Sequence, residues 1–216
     1  SPIQNSDTED DIIVGNDSTN ANGANAIEIW VNNGHGVFSE DNTSPYNAQG
    51  RVTSVAHGDM DGNDTDDLIY GSSGTVSQRR ISIRLLGHNA DFGAPLEITP
   101  NASVRAIAAK NVKEDANNDT DVIAATDSVS GDIKVYNNNG LGILSQDAQS
   151  PYNVAGDTIF ALDAGDVDAD NDIDFVTASR NTTVTRRFEV WKNDGLGNFS
   201  RTQLSVITAT PNALRL

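Results

Sequence analysis

One unit recurs four times along this chain, and the recurrence restricts the fold more than any single motif does. An aspartate followed by apolar β-formers and a small residue occurs as Asp11-Ile12-Ile13-Val14-Gly15, Asp67-Leu68-Ile69-Tyr70-Gly71, Asp121-Val122-Ile123-Ala124-Ala125 and Asp174-Phe175-Val176-Thr177-Ala178. The leading aspartates are 56, 54 and 53 residues apart. A second landmark keeps step at 30–38 (WVNNGHGVF), 84–92 (RLLGHNADF), 136–144 (YNNNGLGIL) and 191–199 (WKNDGLGNF). Each of these reads as a strand end, a Gly/Asn turn and an apolar residue that opens the next strand. Two landmarks in register over four copies do not arise by chance.

Strand signals number four per repeat; in the second they fall at 52–57, 67–71, 80–86 and 92–98. Alternation in Arg80-Ile81-Ser82-Ile83-Arg84-Leu85 and over 26–31 marks half-buried strands, and no window carries a helical period. Four antiparallel strands per unit of about 54 residues describe a propeller blade. A two-layer sandwich of the same strands would not require a repeat. The expected fold is therefore all-β, a four-bladed β-propeller forming one domain over 1–216. Its blades are expected at about 49–101, 102–154 and 155–206, with 1–48 plus 207–216 making the first.

The last residues, 213–216, resemble an innermost strand, and residues 1–11 resemble the loop that follows one. Joined, they complete a blade in register, with Leu216 where Ala56 stands. The C-terminal strand is thus expected to close the first blade, within one chain or between two copies that form a larger ring. A longer period overlays the short one. Ser44-Pro45-Tyr46-Asn47 returns as Ser150-Pro151-Tyr152-Asn153 and Arg79-Arg80 as Arg186-Arg187, so the chain reads as a duplicated two-blade unit.

Charge narrows the function. Lys and Arg number 14 against 31 Asp and Glu, a net charge of −17 that disfavours nucleic acid and anionic membrane surfaces. The acid is 25 Asp and only 6 Glu. Asp favours turns over helices, and Asp in turns is what oxygen-ligand cation sites use. The absence of cysteine removes disulfides, thiolate metal sites and Cys nucleophiles together.

Two loops concentrate this acid. Asp59-Met60-Asp61-Gly62-Asn63-Asp64-Thr65-Asp66-Asp67 and Asp166-Val167-Asp168-Ala169-Asp170-Asn171-Asp172-Ile173-Asp174 both place oxygen side chains at positions 1, 3, 5 and 9. Position 7, Thr65 or Asp172, can add its carbonyl. With water this makes the six or seven hard oxygens that Ca²⁺ takes. The EF-hand pattern fails, because position 6 is Asp64 or Asn171 and position 12 is Tyr70 or Thr177. A solvated acidic turn is the plainer alternative, but aspartates packed this closely repel one another without a cation. Two further copies are degenerate. Counting back from Asp121, the third has Lys113 at position 1, then Asp115, Asn117 and Asp119; a shift in register would recruit Asn111 instead. The first has Ile3 at position 1, then Asn5, Asp7, Glu9 and Asp11. The expectation is two calcium sites and up to four.

The stretch from Gly58 through Asp59-Met60-Asp61-Gly62-Asn63 to Asp67-Leu68-Ile69, with the 191–199 turn, resembles the FG-GAP/VCBS repeat of integrin-like β-propellers. The resemblance spans all four units. It implies blades that carry calcium in the hairpin between their first two strands. Two loops depart from it at the first ligand, and four blades are fewer than such repeats usually form. It also implies an extracellular or cell-surface recognition module that binds glycan or protein, as a lectin or adhesin does. The rival expectations are a polysaccharide lyase or hydrolase with a groove across the propeller top, or a structural fragment of a larger surface protein. No catalytic constellation is found: His35, His57 and His88 lack ligand spacing, and Trp30 and Trp191 suit inter-blade packing better than sugar stacking.

Overall fold

The structure is a computed structural model that describes residues 10–16, 25–87, 91–113, 119–128, 131–154, 158–180, 185–208 and 214–216. These residues form four antiparallel sheets, with one 3-10 turn at Val76–Gln78. The first sheet holds β1 (Ile12–Gly15), β2 (Asn25–Asn32), β3 (Phe38–Glu40) and β4 (Tyr46–Ala48). The second runs in chain order through β5 (Arg51–Gly58), β6 (Asp67–Ser73), β7 (Ile81–Arg84) and β8 (Leu96–Ile98). The third contains β9 (Val104–Lys110), β10 (Asp121–Thr126), β11 (Asp132–Asn138), β12 (Leu144–Gln146) and β13 (Tyr152–Asn153). The fourth is β14 (Thr158–Gly165), β15 (Asp174–Arg180), β16 (Arg186–Asn193) and β17 (Phe199–Ile207).

The all-β expectation and the division into four antiparallel sheets both hold. The longer period is visible too. In the first and third sheets the outer strand is broken in two, and both pieces pair with the same neighbour, β2 or β11. The Ser-Pro-Tyr-Asn segment sits at each break. There the Ser44 and Ser150 hydroxyls accept the N–H groups of Ile29 and Val135, at 3.1 and 3.0 Å. In the second and fourth sheets the outer strand is a single segment.

Period-2 alternation lets each second strand serve two interfaces. Leu68 and Tyr70 of β6 pack with Ile27, Ile29 and Val52, whereas Ile69 between them packs with Val104, Ile107 and Val122 of the third sheet. Ile123 and Ala125 of β10 in turn face Ile159 and Phe175 of the fourth. Three apolar clusters therefore fill three successive junctions. The small residue ending each landmark is where the next repeat's first strand leans in. A Cβ on Gly71 would stand 2.4 Å from Cγ1 of Val104, and one on Gly15 would stand 2.4 Å from Cγ1 of Val52.

No such cluster joins the fourth sheet to the first among the described residues, and no closed barrel or propeller is detected there. The first sheet has no strand ahead of β1, which pairs with β2 alone among the described residues. Ile12 and Val14 are 43% and 39% exposed, where the corresponding Leu68 and Tyr70 are 0% and 1%. Of the expected closing segment, residues 209–213 lie outside the described residues. Leu216 sits beside β14, donating its N–H to the Asp163 carboxylate at 2.7 Å. No helix among the described residues is long and apolar enough to cross a membrane.

The packing at Gly71 gives a direct test. Gly71→Ala must displace Val104, and the change should destabilise the protein by about 1–3 kcal/mol in chemical denaturation, as overpacked cores do. An unchanged midpoint would mean that the second and third sheets are not held as described.

Candidate metal centres

The acidic loops join the first and second strands of the second and fourth sheets. Strand register frames them identically, Gly58 opposite Asp67 and Gly165 opposite Asp174. Inside the frame, the position-1 carboxylate gathers the loop's own N–H groups. Asp59 accepts from Asp61, Gly62 and Asn63 through Oδ1 and from Asp64 through Oδ2, at 2.8–3.2 Å. Asp166 accepts from Asp168, Ala169 and Asn171 in the same way. Desolvation opposes ionisation of Asp166, yet the N–H groups of Asn171, Ala169, Asp168 and Asp170 together hold its carboxyl below the usual carboxylate range.

Turning this tightly requires left-handed backbone at positions 4 and 6. Gly62 and Asp64 have φ of 74° and 63°, and Ala169 and Asn171 have 65° and 75°. Asp and Asn tolerate this region, and Gly adopts it freely. Alanine does not, so the second loop carries strain that the first avoids.

Position 9 closes both ends of each loop. The Asp67 carboxylate accepts Met60 N–H at 2.8 Å and Leu86 N–H at 2.7 Å; that of Asp174 accepts Val167 N–H at 2.9 Å and Asn193 N–H at 2.8 Å. Both side chains are fully buried. Burial pushes the Asp67 carboxyl up to about 6, against the two N–H groups that favour its ionised form, and the charges of Asp61 and Asp59 add to the rise. Asp59, Asp61 and Asp67 each bring a carboxylate oxygen within 4.8 Å of the others, and so do Asp166, Asp168 and Asp174. These two triads could hold a metal ion. In the second loop the Lys192 ammonium pairs with Asp168, which raises its own pKa.

The remaining expected ligands are placed differently. The Asn63 side-chain oxygen accepts the N–H and the hydroxyl of Thr65, while its amide donates to the Leu86 carbonyl at 3.3 Å. Asp170 accepts Asp172 N–H at 3.0 Å, and neither Asp170 nor Asp172 belongs to the triad. Gly195, at φ 77°, lies against the Asp172 carboxylate, and an added Cβ would stand 3.0 Å from its oxygens.

The third loop needs a correction. Lys110 pairs with Asp121 in the frame, so this loop is longer than the other two, and counting back from Asp121 misplaces its start. Val112 N–H donates to Asp121 at 3.2 Å as Met60 does to Asp67. Asn111 therefore holds position 1, and Lys113 stands at position 3 rather than position 1. Asp119 and Asp121 are described; Asp115 and Asn117 lie outside the described residues, as do Asn5, Asp7 and Glu9 of the first loop. Asp11 is described, and it accepts Asn32 N–H at 2.9 Å.

The sequence reading did not anticipate one set of residues. Asn138 donates its side-chain amide to the Met60 carbonyl of the preceding repeat's loop at 2.8 Å and to the Thr120 carbonyl at 3.1 Å. Asn193 does the same to Val112 and Ile173, at 2.6 and 3.2 Å. These asparagines lie in the 136–144 and 191–199 landmarks, where they read only as turn residues. Comparison with family models finds none that matches the chain, and comparison with curated proteins finds no relative.

The backbone angles separate the two loops experimentally. Gly62→Ala should lower stability by about 1 kcal/mol, and Ala169→Gly should raise it by up to a similar amount, both read from urea midpoints without added metal. Shifts of the same sign would refute the shared backbone.

Proposed function

We propose that the chain is a calcium-stabilised, extracellular recognition module that binds glycan or protein, with its four sheets as propeller blades of the FG-GAP/VCBS type. One observation carries the calcium reading: two acidic triads stand on the same nine-residue backbone at the same end of two sheets. Hard carboxylate oxygens around a tight loop suit Ca²⁺ better than Mg²⁺, which keeps more of its water. The recognition reading is supported by the repetition itself, since similar repeats offer similar sites and therefore multivalent binding.

Calcium binds the folded loop far better than the unfolded chain. At 100-fold its dissociation constant each site should add roughly 2.7 kcal/mol. Excess chelator should lower the melting temperature, and Asp61→Ala or Asp168→Ala should each remove part of the calcium-dependent increment. A melting curve indifferent to chelator would overturn the reading.

We assign the strand missing ahead of β1 to the C-terminal segment of a second copy of the chain, so that two chains complete a larger ring. The exposed Ile12 and Val14 support the exchange. Sedimentation at micromolar concentration should then show twice the 22.9 kDa chain mass. A stable species at the single-chain mass would eliminate the paired ring and leave the calcium reading untouched.

A further inference from the structure

We propose that the cleft between the second and third sheets, at the end opposite the acidic loops, binds the carboxylate and hydroxyls of an acidic sugar, a hexuronate. The cleft has a volume of about 430 Å³ and is lined by Arg79, Asn101, Asp127, Ser128, Lys134 and Gln146, with the Asp132 carboxylate two residues from Lys134 on the same strand. Asn101, Lys134 and Gln146 also line an adjoining cavity of about 110 Å³. Arg79 precedes β7, Asn101 precedes β9, and Asp127 and Ser128 follow β10. All four are thus at the sheet ends remote from the loops at 59–67 and 166–174.

Lys134 decides the ligand chemistry. Its neighbours Ile133 and Val135 face the fourth sheet, so alternation turns Lys134 toward the second. It is only 5% exposed, and its ammonium makes no hydrogen bond or ion pair with any described residue. Its side chain lines the cleft, so an anion there gives the ammonium the partner that no described residue supplies. Arg79 stands on the opposite wall. It donates Nε to the Gly74 carbonyl at 3.3 Å and Nη1 to the Asn101 carbonyl at 3.2 Å, which holds the guanidinium in place.

The rest of the wall suits hydroxyls. The Ser128 hydroxyl is buried with no hydrogen-bond partner among the described residues. Gln146 fixes its amide nitrogen on the Ser150 carbonyl at 3.2 Å, which presents its side-chain oxygen as an acceptor. Asp127 is neutralised by Arg105, Nη2 to Oδ2 at 2.5 Å, yet keeps Oδ1 to accept from a ligand hydroxyl. A neutral hexose would satisfy these groups and leave Lys134 unmatched. A simple carboxylate would satisfy Lys134 and leave the hydroxyl partners unmatched. A sugar acid serves both, and the inference rests on the glycan side of the recognition reading.

The test is titration of the calcium-loaded protein with glucuronate and galacturonate, against glucose, galactose and an acidic tripeptide, followed by amide chemical shifts. Either uronate should bind at least tenfold tighter than its neutral hexose, with shifts centred on Lys134, Ser128 and Gln146. Lys134→Met should abolish that preference without lowering the melting temperature. Should that variant not fold, Arg79→Met and Ser128→Ala must each weaken uronate binding severalfold. Equal affinity for uronate and hexose, or uronate binding unchanged in these variants, overturns the proposal. Tripeptide binding at the uronate's strength also overturns it and reassigns the cleft to acidic peptides. Binding of neutral glycans insensitive to Lys134→Met would keep the recognition reading and remove only this site.

Discussion

A buried carboxylate opens the strand after the acidic loop in three of the four repeats, and the arrangement around it depends on that group. Asp67, Asp121 and Asp174 are 0%, 3% and 0% exposed. Each accepts one N–H from the loop behind it and one from the end of the third strand, so three separate stretches of chain meet on one side chain. Asp11 makes the third-strand half of this contact with Asn32. Hydrogen bonds to an ionised acceptor are about twice as strong as neutral ones. They act against a desolvation cost large enough to raise the Asp67 carboxyl to about 6. The same oxygens that fix the hairpin therefore also belong to the triad that could hold a metal ion, so the two are one construction.

The loops also connect neighbouring sheets. Met60, held by Asp67, offers its carbonyl to Asn138 and to Gly142 N–H, the latter at 2.9 Å. Val112, held by Asp121, offers its carbonyl to Asn193. At the first junction the asparagine is replaced by Leu86, and a different device appears. Arg84 reaches the Asn47 carbonyl at 3.2 Å and lies over the Tyr46 ring, 5.2 Å from its centroid. Repetition thus preserves the task of each junction more strictly than the residue that performs it.

Much of this was legible because it is periodic. The spacing of the Asp landmarks places the second strands, alternation places their two faces, and the acidic residues at positions 1, 3 and 9 do converge. What was hidden depends on neighbours distant in sequence. The amides of Asn138 and Asn193 matter only because another repeat's carbonyl lies above them. The small residue at position 71 reads as a strand end until Val104 is seen against it. The third loop was misread because an insertion leaves the composition acidic while moving the frame. Lys134 gave no signal at all: a single basic residue in an alternating strand is ordinary, and only the apposed second sheet makes it the wall of a cleft.

The two ends of the molecule are joined by the strand between them. Four residues of strand separate Lys134 from Asn138, roughly 13 Å at the usual rise. A metal ion held among Asp59, Asp61 and Asp67 would act on that strand through the chain. Neutralising the triad steadies the loop, the loop positions the Met60 carbonyl, and that carbonyl anchors Asn138 at the far end of the strand that carries Lys134. The Met60 carbonyl is thus the point at which the triad's loop is tied to the third sheet, and through β11 to the wall of the cleft.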